Sequence, residues 1–266
     1  MIGMGIIDLV LRLVLATGHL EGRRPVSLLV IANPGTGKSE ALLRYSPYPC
    51  MMTTSYISFP KLIALHGPDI VQGKLHHLLL PDLALFVSRP KWVVTAELAA
   101  FGSLIEEGII NWRTQKASFH MDDTSIGMVA ATTPRTLQEA RFLAPAGFLS
   151  RFMKFSYQYS EETKGKIRAG IRGRLQQRFP KDALHPKQRF PVTGEPGVFS
   201  VFEEGGFIDI LKDPDDVNGF RIQQQLESLA MAQALLRGSR EVVSEDVKLI
   251  TTLCRYFRSG VVEPEI

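Results

Sequence analysis

The chain has 266 residues, enough for one large domain or a core with a smaller partner. Its 45% hydrophobic and 22% charged composition is that of a globular protein and excludes a largely disordered chain. The formal charge is only +4 with a sequence pI near 9.1, so nucleic acid is compatible as a partner without being singled out.

The first apolar stretch, residues 2–15, is interrupted by Asp8 and Arg12 and lacks a basic leader with a cleavage site. No run reaches the ~20 apolar residues a bilayer requires, so no membrane association is expected. Cys50 and Cys254 are too few for a disulfide framework, which points to a reducing, cytoplasmic setting. Residues 6–16 have helical periodicity. Residues 27–32, SLLVIA, form a continuous apolar run between Pro25 and Asn33-Pro34-Gly35, as a buried strand does.

Immediately after that strand stands Ala32-Asn33-Pro34-Gly35-Thr36-Gly37-Lys38-Ser39, followed by a helical stretch over 40–45. The glycines let successive backbone N–H groups turn inward around phosphate oxygens. The lysine reaches the β- and γ-phosphates and the hydroxyl binds Mg²⁺, all at a helix N-terminus. Ala32 replaces the usual first glycine, a small residue that still fits. ATP and Mg²⁺ are the cofactors this pattern predicts.

Further apolar runs at 78–80, 93–95 and 126–131 predict strands, with helical stretches between them. Apolar strands without alternation, joined by helices, predict an α/β fold: a parallel P-loop sheet flanked by helices, followed by a small helical lid. After the second run, Pro81-Asp82-Leu83 supplies Asp82 as the acid near the metal. The usual pattern ends in two acids and this chain offers one, so Asp82 takes either the metal position, with Leu83 after it, or the catalytic position, with Pro81 before it. Glu97 is a weaker candidate, read more simply as an exposed helix acid. His76-His77 has no further ligand at useful spacing and reads as structural. Trp92 and Trp112 read as core or edge packing, and Cys254 as a buried apolar residue.

The charge is uneven. Residues 164–189 carry nine Lys/Arg against Asp182, a local +8 that leaves −4 for the rest of the chain. Ile167, Ile171 and Leu175 predict a helix over 161–179. The stretch suits either phosphate contact or a solvated face balanced by the acids at 203–216. Beyond a Pro/Gly-rich connector (190–216), helices are predicted over 218–237 and after Ser244.

Three segments sharpen the class: IGMVAATTP at 126–134, Phe148-Leu149-Ser150-Arg151-Phe152, and the pair QQLESLA at 224–230 with VVSEDV at 242–247. With the phosphate loop, in this order over 26–255, they resemble an AAA+ ATPase, most closely the motor domain of the minichromosome maintenance (MCM) helicases. The resemblance implies an ATPase core over 1–160 and a basic linker with a lid over 161–266. It implies Lys38 and Ser39 on phosphates and Mg²⁺, Thr133 (or Thr132) at the sensor position, and Arg151 as an arginine finger serving a neighbouring subunit. A homo-oligomeric, hexameric ring acting on DNA follows, with a separate targeting protein for a chain that lacks the long N-terminal DNA-binding region of MCM helicases. The alternative is a protein-remodelling or loader ATPase, or a slowly hydrolysing scaffold. Gln224 falls where relatives carry a second sensor arginine, with Arg221 one turn away. Residues 111–125 resemble a channel hairpin whose tip, read at 120–123, is acidic.

Overall fold

The computed structural model describes residues 4–106, 108, 111–113, 118–120, 124–139, 147–172, 189–212 and 218–257. Helix α1 (Gly5–Thr17) precedes strand β1 (Ser27–Ile31), the phosphate-loop segment and α2 (Lys38–Leu43). Then follow β2 (Met51–Thr53), α3 (Phe59–Val71), β3 (His77–Leu80), α4 (Ala84–Val87) and α5 (Lys91–Glu106). A hairpin of β4 (Asn111–Arg113) and β5 (Ser118–His120) leads to β6 (Gly127–Thr132), α6 (Pro134–Glu139) and β7 (Phe152–Ser156).

The main sheet has five strands in the order β2-β3-β6-β1-β7, and every pairing is parallel. Both faces of β1 are buried because its side chains alternate between two apolar layers. Leu28 and Val30 face α1 and the C-terminal helices, while Leu29 and Ile31 face α3 and α5. This is why the strand reads as a continuous apolar run instead of an alternating one.

The 93–95 segment is not a strand. It lies inside α5, where Val94, Leu98, Phe101 and Ile105 are buried at helical spacing. Three β-branched or apolar residues in a row are too local a signal against a pattern sustained for four turns. β2, not anticipated, is a three-residue strand at the sheet's edge. Trp92 is 78% exposed and takes no part in the core. The side chain of Trp112 lies outside what is described.

The C-terminal region comprises α7 (Glu161–Arg172), three short helices α8 (Pro196–Phe199), α9 (Val201–Glu204) and α10 (Phe207–Leu211), then α11 (Phe220–Leu236) and α12 (Ser244–Leu253). Leu226, Leu229 and Ala230 of α11 and Val247 and Ile250 of α12 share one apolar cluster with α1 and the sheet. Among the described residues no helix is long and apolar enough to cross a membrane.

Candidate nucleotide site

A parallel sheet has two chemically distinct edges, and β1 sends the chain to its C-terminal one. The loop after β1 opens with buried Ala32, whose N–H reaches the Thr132 carbonyl at 3.4 Å. Gly35 and Gly37 both hold left-handed backbone, φ +77° and +76°, and Gly37 is the N-cap of α2. A Cβ on Gly35 would touch nothing within 4 Å, so glycine is needed there for its conformation and not for space. The Asn33 carbonyl accepts from the Thr36 hydroxyl at 2.8 Å and from the Lys38 ammonium at 2.9 Å. Lys38 is therefore folded across the loop, with 8% of its surface exposed.

Two tyrosines brace the loop from the far side. The Tyr159 hydroxyl donates to the Thr36 carbonyl at 2.6 Å, and that of Tyr157 lies 3.2 Å from the same oxygen. Burial holds the Tyr159 phenol well above its ordinary pKa, so it remains a donor at neutral pH. Neither tyrosine was singled out in the sequence. The available signal was their spacing, since Tyr157 and Tyr159 continue the two-residue period of β7.

The Ser39 hydroxyl donates to the Pro81 carbonyl at 2.9 Å and ties the loop to the end of β3. The next residue, Asp82, is exposed, and its carboxylate accepts the Ala84 N–H at 2.9 Å. Leu83 is 2% exposed, with its N–H on the Ala131 carbonyl at 2.8 Å. The residue after Asp82 is thus a core anchor and supplies no acid. Glu97 does not fill the gap. Its side chain is 13% exposed, accepts from Tyr56 at 3.0 Å and pairs with Arg89 at 3.4 Å. Burial raises its pKa, with the Arg89 charge opposing. It is neither an exposed helix acid nor a member of the loop.

β6 lies between β1 and β3, so its end stands between Lys38's loop and Asp82. The two threonines there differ. Thr133 caps α6: its Oγ accepts the Thr136 N–H at 3.1 Å and lies 2.9 Å from the Thr136 hydroxyl. Thr132 is 1% exposed, and its hydroxyl has no hydrogen-bond partner. A buried hydroxyl without a partner is costly, about 1–3 kcal/mol, unless a ligand or water satisfies it. Of the two sensor candidates, Thr132 has the uncommitted hydroxyl. An ammonium, a hydroxyl at the helix start, one carboxylate and this orphaned hydroxyl suit a nucleotide triphosphate with Mg²⁺.

Arg151 occupies the opposite edge. It ends a 3₁₀ turn (Leu149–Arg151) just before β7, where Phe152 sits in register with Ser27 at the start of β1. A five-residue strand, about 16 Å long, separates that edge from the loop. Arg151 Nε lies 2.8 Å from Glu106, and Arg221 pairs with the other oxygen of the same carboxylate. These groups line a cavity of about 510 Å³ with Arg23, Arg24, Phe220, Gln224 and Gln225. Its four arginines face one glutamate, so it favours anions. Gln224 lines this cavity at the sheet edge away from the phosphate loop. Glu106, which holds Arg151 and Arg221 together, had no signature in the sequence.

β4 and β5 pair antiparallel with Trp112 opposite Phe119. Residues 114–117, which include Lys116, lie outside the described residues. Of the acidic tip expected at 120–123, His120 belongs to β5, and residues 121–123, with Asp122 and Asp123, lie outside the described residues. Of the basic stretch, 173–188 is also outside. In α7, Lys164 and Lys166 pair with Glu161 and Glu162 at the helix start.

No protein-family model matches this sequence, and no curated protein does. Among solved structures, the crystal structure of a proposed ATPase from Cytophaga hutchinsonii is similar. The TM-score is 0.51 at 14% identity, covering 94% of this chain and 80% of that one. At that identity the likeness shows the fold alone, a five-stranded parallel sheet flanked by helices.

Proposed function

We propose that this chain is a Mg-ATP-dependent motor subunit of the AAA+ class, similar to MCM motor domains, which assembles into a ring and acts on DNA. The observation that carries the ATP reading is the loop at 32–39. Its glycines hold left-handed backbone, Lys38 folds across it and the Ser39 hydroxyl faces the end of β3.

In this reading Lys38 leaves the Asn33 carbonyl for phosphate oxygens, and the loop N–H groups and α2 orient the chain of phosphates. Ser39 and Asp82 would hold Mg²⁺, which when bound neutralises charge on the phosphoryl oxygens. The unpartnered Thr132 hydroxyl would orient the attacking water. With Leu83 in the core, Asp82 is the one acid at the end of β3, and slow turnover is expected.

Arg151 supports the ring. A side chain at the far edge of the sheet cannot reach phosphates on its own loop, so any phosphate it meets belongs to another molecule. The DNA reading rests on the +8 stretch at 164–189 and on Lys116 within the 111–125 segment of the sequence.

ATP turnover measured with and without single-stranded DNA, for wild type and Lys38→Ala, tests the proposal. It expects oligomer-dependent turnover that rises with DNA and vanishes in the variant. Turnover indifferent to DNA but raised by a partner protein would support the remodelling alternative. Turnover unaffected by Lys38→Ala would overturn the site.

A further inference from the structure

The side chains that gather at the N-terminal edge of β2 and β3 have no part in the nucleotide chemistry. His19 follows α1, Cys50 immediately precedes β2, and His76 immediately precedes β3. All three are essentially sealed from solvent. One ligand atom from each lies within 4.8 Å of the other two. Zinc bonds of 2.0–2.3 Å in a tetrahedron place ligand atoms ~3.5 Å apart, so side-chain rotations of about an ångström would complete the set.

The hydrogen bonds around the cluster favour ligation. His76 Nε2 lies 2.6 Å from the Gly73 carbonyl, which can only accept. The proton therefore sits on Nε2 and the lone pair on Nδ1. That Nδ1 is buried and has no hydrogen-bond partner. His19 Nε2 lies 2.8 Å from the Tyr48 hydroxyl, which anchors the ring beside the cluster. A ring nitrogen tied to a carbonyl or hydroxyl, with the other turned to the metal, is how protein sites fix and orient histidine ligands.

The backbone holds the arrangement. The Cys50 carbonyl accepts the His76 N–H at 2.8 Å and the His77 N–H at 3.2 Å. A Cβ on Gly18 would come within 2.7 Å of His76 Cβ, so the turn after α1 is pressed against the imidazole. His77, on the opposite side of the strand, lies near the Val26 carbonyl instead.

We propose that His19, Cys50 and His76 form a zinc site that joins the end of α1 to the starts of β2 and β3, with a fourth position for water or another donor. One thiolate and two imidazoles suit Zn²⁺ and do not suit Mg²⁺ or Ca²⁺. Binding displaces the Cys50 thiol proton. The role is structural: the site pins a short edge strand to the sheet, away from the phosphate loop.

Cobalt(II) titration of the chelator-treated full chain tests this. The proposal expects one equivalent per chain, with tetrahedral visible bands and a thiolate-to-cobalt charge-transfer band, all displaced by Zn²⁺. Cys50→Ser is nearly isosteric and removes the charge-transfer band. Cys254→Ser keeps it, and Lys38→Ala leaves it unchanged. Tyr48→Phe weakens binding by about 10–100-fold, the usual effect of losing such a support. Thermal unfolding, read in parallel, shows zinc raising the melting temperature of wild type but not of folded Cys50→Ser. No charge-transfer band in the folded wild type, or a band that survives Cys50→Ser, would overturn the site.

Discussion

The two edges of the sheet solve different problems with different kinds of sequence. At the C-terminal edge, the candidate phosphate contacts sit on eight consecutive residues, 32–39, whose conformation is set locally by two left-handed glycines and a helix start. At the N-terminal edge, every group of interest is assembled over long range. Glu106 bridges Arg151 and Arg221, and His19 meets Cys50 and His76. A contiguous motif is legible because backbone geometry dictates its spacing. An assembled one is legible only once the strand order is known.

Breaking each edge in turn should separate their roles. The largest effect belongs to Lys38→Ala, which removes the ammonium proposed to bind phosphate. ATP binding, followed by displacement of a fluorescent nucleotide, should weaken beyond the detectable range while melting temperature changes little. Arg151→Ala should act in the opposite manner: ATP affinity remains near wild type while turnover falls by ~10³ or more, the scale of a lost trans-acting arginine. A steady-state comparison of KM and kcat for the two variants checks this directly.

That contrast also shows where the sequence stopped being informative. The strand SLLVIA and the conformation of its loop could be read because burial on both faces and left-handed glycines each impose a local pattern. The run at 93–95 misled because three residues cannot distinguish a strand from one face of a helix, and Leu98, Phe101 and Ile105 decide the matter. Tyr157 and Tyr159 brace Thr36 from more than 120 residues away, and their two-residue spacing marks a strand face without naming that partner. Thr132 and Thr133 were indistinguishable until the α6 cap claimed one of them. His76-His77 looked structural because its partners, 26 and 57 residues upstream of His76, are neighbours only in the fold.

Smaller effects sharpen the comparison. Glu106→Gln leaves two arginines facing each other in a half-buried cavity and should cost about 1.5–3 kcal/mol in denaturant unfolding, the scale of a charged hydrogen bond. It should leave ATP binding intact. Tyr159→Phe loses one hydroxyl bond to Thr36, about 1 kcal/mol. If that bond orders the loop for ATP, nucleotide affinity should drop about fivefold, with the far-edge cavity undisturbed. A drop in stability without a change in affinity would make the tyrosine a packing residue alone.

The central claim is that the two edges cooperate between molecules: Lys38 binds the phosphates of one subunit, and Arg151 of another completes the site. Mixing Lys38→Ala with Arg151→Ala tests it most directly, because each variant carries the half that the other lacks. The account predicts that two inactive preparations regain ATP turnover on mixing, in proportion to the intact interfaces formed. Assembly of a mixed oligomer with no recovered turnover would contradict it.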